Sequence, residues 1–63
     1  MAEPPREILF EFNQIGRSVK VTAIDAKTGT EASIVAPAGA SDAELKRVAI
    51  AKLKYVMDKQ SRR

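Results

Sequence analysis

Alternation governs the first half of the chain. Ile8, Phe10 and Phe12 fall on one side, with Glu7, Leu9, Glu11 and Asn13 on the other. This is the period of two that sends successive strand side chains to opposite faces. Ile15-Gly16 interrupts the pattern, and glycine supplies the positive φ of a tight hairpin turn. A second alternation sets Val19, Val21 and Ala23 inward and Ser18, Lys20, Thr22 and Ile24 outward. Asp25-Ala26-Lys27-Thr28-Gly29 reads as the next turn, with Asp as its cap and Gly29 at a left-handed position. A third run places Ala32, Ile34 and Ala36 inward and Glu31, Ser33 and Val35 outward. The spacing predicts strands over 7–14, 18–25 and 30–36.

Pairing the apolar positions predicts the register. With Gln14 opposite Arg17, Phe12 meets Val19, Phe10 meets Val21, Ile8 meets Ala23 and Glu11 meets Lys20. With Ile24 opposite Glu31, Val21 meets Ile34 and Thr22 meets Ser33. A slip of one residue would turn a whole strand inside out. Pro37-Ala38-Gly39-Ala40 ends the sheet, and Ser41-Asp42-Ala43-Glu44 has the form of a capping box. From there the period becomes helical. Leu45, Val48, Ala49, Leu53, Val56 and Met57 form an apolar stripe, which Ile50 widens to about half the circumference. The expectation is an α+β fold: a three-stranded antiparallel meander, then one C-terminal helix over 42–59 packed on the inward face (β-β-β-α). Residues 1–6, with Pro4 and Pro5, read as a disordered tail, residues 7–59 as the single domain and residues 60–63 as a basic tail.

Composition narrows what such a domain can do. The chain has 63 residues, 44% of them hydrophobic but only 5% aromatic. Below roughly 70–80 residues a core seldom contributes more than ~3–5 kcal/mol net, so contacts with a partner or a second copy are expected to help. There is no Cys and no His, which removes disulfides, thiolate metal sites, cysteine nucleophiles and the usual general base. No run approaches the ~20 apolar residues of a membrane span, and the N-terminus has neither the basic nor the apolar region of a secretory signal. The expected setting is cytoplasmic.

Chemistry finds little purchase. Ser18, Ser33, Ser41 and Ser61 lack a histidine partner. Lys46 and Lys52 flank the apolar stripe, where their stems cover its edges and their ammonium groups reach water. Glu7, Glu11 and Glu31 share the outer sheet face but sit apart beside Lys20, unlike the adaptable oxygen cage of a calcium loop. The loop before the helix lacks the Gly-Lys-Ser/Thr ending of a P-loop, and Asp42 and Glu44 would repel an anion there. No enzyme activity, cofactor, metal or small-molecule substrate is expected.

The formal charge of +3 is unevenly distributed. Residues 1–45 carry four bases against seven acids, whereas residues 46–63 carry seven bases against Asp58 alone. Cations in the second half of a helix complement its dipole. The same residues could instead touch a polyanion: Arg47, Lys54, Lys59, Arg62 and Arg63 are the candidates for non-specific nucleic-acid contact. A sheet followed by a helix resembles the latter part of a double-stranded-RNA-binding domain. This helix start is acidic where that module is basic, and the open sheet face has no aromatic side chain for base stacking. The leading expectation is a non-enzymatic module for protein interaction or homodimer formation, with nucleic-acid binding second. Leu9, Ile24 and Val35, on the outer face, form the candidate patch.

The run from Glu7 to Phe12, the segment Ile15–Asp25, Thr28-Gly29-Thr30-Glu31, Ser33–Pro37 and Glu44-Leu45-Lys46-Arg47 together resemble a family of short alphaproteobacterial proteins without an assigned function. The resemblance covers about 7–58 and implies a bacterial cytoplasmic protein, with no site to carry over. Some similar sequences bear a serine hydroxymethyltransferase label; 63 residues are too few for a pyridoxal-phosphate pocket and its large fold.

Overall fold

Three strands and a helix follow one another in the computed structural model, which describes residues 7–61. They are β1 (Ile8–Ile15), β2 (Ser18–Asp25), β3 (Glu31–Pro37) and α1 (Asp42–Ser61). The sheet order β1-β2-β3 is an antiparallel meander, so β1 and β3 are both edges. The helix packs on one face of the sheet, giving the expected β-β-β-α arrangement. The helix continues through Ser61, two residues past its expected end. Gln60 and Ser61, expected to begin a tail over 60–63, are the last residues of that helix, while residues 62–63 and the expected tail over 1–6 lie outside the described residues.

The second hairpin has the expected register, with Ile24 opposite Glu31, Thr22 opposite Ser33 and Val21 opposite Ile34. The Thr22 and Ser33 hydroxyls share a hydrogen bond of 2.9 Å. The first hairpin is displaced by two residues from the expected register. Ile15 faces Ser18, Gln14 faces Val19, Phe12 faces Val21, Phe10 faces Ala23 and Ile8 faces Asp25. Glu11 consequently meets Thr22, while Lys20 meets Asn13. The reason lies in the turn. The favoured two-residue hairpin turns require positive φ at their first central position. The expected register would have put β-branched Ile15 there; the observed one puts Gly16 there, at φ +60°. A shift of two conserves the side-chain parity, so the apolar face survives.

The core comprises Val19, Val21 and Ala23 from β2, Ala32 from β3, and Leu45, Ala49 and Leu53 from α1. Ile8, Phe10, Ile34, Ala36, Val56 and Met57 pack partly against it. The helix rests on β2 and β3. Two residues expected inside are therefore only half covered: Phe12 on β1 and Val48 on the helix flank, each 41% exposed. At its start, the Glu44 amide donates to Ser41 Oγ at 3.2 Å. The other half of the expected capping box does not form, because the Glu44 carboxylate accepts from Arg47 at 2.6 Å. An oppositely charged group one turn ahead competes successfully with the Ser41 amide.

Candidate functional site

The three described basic candidates, Arg47, Lys54 and Lys59, do not form one stripe. At 3.6 residues per turn, Arg47 and Lys54 lie within about 20° of one another on the solvent side, whereas Lys59 lies roughly 140° round from Lys54. Arg47 is engaged with Glu44. That guanidinium, by its hydrogen bond and then its charge, holds the Glu44 carboxyl below its usual range. Lys59 Nζ sits 5.6 Å from the centre of the Tyr55 ring, a cation–π contact. Arg62 and Arg63 lie outside the described residues.

The outer-face patch is divided. Leu9 and Ile24 are direct cross-strand neighbours. Val35 is 71% exposed and stands opposite Lys20, well along the sheet from that pair. Ladder positions separate it from them by four residues, about 13 Å along a strand. Among the described residues, no group of three carboxylates is placed to hold a metal ion, and no helix is long and apolar enough to cross a membrane.

The sheet's edges differ in a way that the alternation does not reveal. In β3, the ladder bonds that run from Asp25 N–H to Thr30 C=O and from Ala38 N–H to Arg17 C=O assign the even positions to β2 and the odd positions to the free edge. Lys52 reaches that edge and donates to the Ser33 carbonyl at 2.6 Å. Pro37, also at an odd position, has no N–H to present. In β1, the Ala26 N–H to Glu7 C=O bond assigns the odd positions to β2, so the backbone groups of Ile8, Phe10, Phe12 and Gln14 point to the edge that, among the described residues, no strand covers. This eight-residue strand has no Lys, Arg, Pro or Gly, and its ladder with β2 is continuous. Along it, Leu9 is 48%, Phe12 41% and Ile15 61% exposed. Beside it lies a shallow depression lined by Phe12, Gln14, Val19, Ala38, Ala40, Asp42 and Leu45. Lys46 lies over Phe10 at 5.5 Å from the ring centre, so its stem covers part of the gap between α1 and β1.

Asp25 is a buried carboxylate at the opposite end of the sheet, fully removed from solvent. The Thr28 hydroxyl donates to its Oδ2 at 2.8 Å, and the Lys27 amide approaches its Oδ1 at 3.4 Å. Its backbone closes the turn, with the Gly29 amide donating to the Asp25 carbonyl at 2.7 Å. The Thr30 hydroxyl then reaches Gln60 of the helix at 3.3 Å. Reading Asp25 only as a turn cap misses its burial. The signal was its parity with Val19, Val21 and Ala23, which places it on the inward face. Every oxygen has a structural use, and the arrangement is a turn lock joined to the helix end.

The model of a protein family described as a domain of unknown function (DUF6898) matches residues 5–60, and the chain belongs to that family. No curated protein and no solved structure matches the chain.

Proposed function

We propose that this DUF6898 chain is a non-enzymatic interaction module that uses the open edge and half-covered side chains of β1. One observation carries the reading: α1 rests on β2 and β3 and leaves Phe12, on the inward face of an edge strand, 41% exposed. An edge strand offers unpaired N–H and C=O groups in a row, and a partner that adds a strand gains both those bonds and apolar burial. Leu9, from the expected patch, belongs to this surface with Ile24 beside it; Val35 stands apart. The bacterial cytoplasmic setting is part of the proposal and rests on the sequence alone, its bacterial part on the resemblance. Nucleic-acid binding has less support, since Arg47 is paired with Glu44 and Lys59 lies on Tyr55, about 140° round the helix from Lys54.

A photo-crosslinking amino acid installed at Phe12 or Ile15 in the full chain, in cells that naturally make it, tests the reading. Defined protein adducts from both positions that persist after nuclease treatment, with none from the same probe at Val35, are the expected result. The absence of protein adducts from either β1 position would refute it.

A further inference from the structure

We infer that the strand added at β1 is β1 of a second copy, in an antiparallel two-fold pairing that makes one six-stranded sheet with both helices on the same face. The inference rests on the interaction reading and names its partner. Its first support is the contrast between the edges. Natural sheets guard their edges with lysine, proline, bulges or cover. Here β3 has Lys52 on the Ser33 carbonyl and Pro37 at its end, while β1 carries no Lys, Pro or Gly of its own and Lys46, from the helix, lies over the Phe10 ring on the sheet face and not on the backbone edge.

The second support is self-complementarity. The edge-facing groups of β1 belong to its even positions, so a copy can pair only even with even, which keeps the inward faces on one side. Among those registers, the one centred on Glu11 opposes two carboxylates at the axis, and the one centred on Phe10 sets Leu9 against Glu11. The register centred on Phe12 avoids both clashes. Phe12 meets its own copy, Phe10 meets Gln14, Leu9 meets Ile15 and Glu11 meets Asn13. Two positions beyond the Leu9–Ile15 pair, Glu7 lies alongside the copy's Gly16-Arg17 turn, which brings acid near base, twice by symmetry. The even pairs Phe10–Gln14 and Phe12–Phe12 would exchange about six backbone hydrogen bonds. Leu9 and Ile15, 48% and 61% exposed in the single chain, would fall in the closer, non-hydrogen-bonded pairs.

The Glu7–Arg17 pair also supplies the test. Within one chain the two residues are at opposite ends of β1, roughly 30 Å apart, so any coupling between them must cross between copies. Sedimentation equilibrium of the full chain and of Glu7→Arg, Arg17→Glu and the double reversal reads it, with thermal melts to confirm that each variant is folded. The expected result is a dimer that each single reversal weakens about five- to tenfold, from two exposed pairs turned repulsive, and that the double reversal restores. Amide exchange gives an independent measure: protection of Phe10, Phe12 and Gln14 should rise with protein concentration, while Glu11 and Asn13, bonded to β2, remain protected throughout. A chain monomeric at millimolar concentration, or a dimer whose double reversal is no better than the singles, overturns the inference. If the chain is monomeric but the β1 crosslinks still capture a different protein, self-pairing falls and the interaction reading stands. Monomeric behaviour without crosslinks removes both.

Discussion

Asp25 and its neighbours show how one polar side chain can be accommodated in a thin domain. A buried oxygen without a hydrogen-bond partner costs about 1–3 kcal/mol, and the turn sequence supplies partners for this one from Lys27 and Thr28. Thr28→Val keeps the branched shape and removes the donor to Oδ2. It should destabilise the chain by about 2 kcal/mol. At ~4–8 °C per kcal/mol for a domain of this size, the melting midpoint should fall by roughly 10 °C in a thermal scan. A change of a degree or less would mean that the Thr28 bond contributes nothing. Glu44 and Arg47 illustrate the opposite case: their contact is short but fully in solvent, where screening leaves such a pair little weight in stability.

At the scale of elements, the first hairpin is decided by a single φ angle. Gly16 takes φ +60°, with nothing near the place where a side chain would begin, so the demand for glycine is one of backbone and not of space. Gly16→Ala should therefore cost about 1–2 kcal/mol in chemical denaturation, whereas D-alanine introduced there by synthesis should leave stability equal or higher. Equal destabilisation by both enantiomers would contradict the turn. The helix is held by a narrower seam than its composition suggests. Leu45, Ala49 and Leu53 are buried at successive turns, while Val48 and Tyr55 remain exposed on the flank. Asp42 and Glu44 in the first turn and Lys59 in the last lie as the helix dipole favours.

For the molecule as a whole, the offset position of the helix leaves Phe12, on the inward face of β1, outside the buried core. Leu53→Ala removes a fully buried side chain and should cost about 2–5 kcal/mol, enough to unfold much of so small a domain at ambient temperature. Phe12→Ala, on the same face of the sheet, should cost clearly less, because its ring already meets water. Urea melts of the two variants measure the difference, and equal losses would place Phe12 in the core. The dispersed basic residues lead to a second expectation. Five phosphate contacts would weaken binding to double-stranded DNA roughly 500-fold between 50 and 200 mM salt. With Arg47 paired and Lys59 turned aside, titration against mixed RNA and DNA should instead show only feeble binding at physiological salt. Submicromolar affinity at 150 mM would overturn that ranking.

Local patterning determined the element order, the inward set on each strand, the second hairpin register, and the seam of Leu45, Ala49 and Leu53. Period and turn chemistry act between near neighbours, so each can be read from a few residues. The same reasoning went astray at the first hairpin because two registers of equal parity both match apolar with apolar, and only the positive φ of Gly16 separates them. Three further features needed the tertiary structure: the burial of Asp25, the lateral position of the helix, and the contrast between a guarded β3 edge and an open β1 edge. Small side chains at Ala23, Ala32 and Ala36 let the helix and its Ala49 approach β2 and β3, while Phe10 and Phe12 keep bulk on β1. Side-chain volumes on separate elements therefore settle where the helix lies over the sheet, and with it which edge Lys52 reaches.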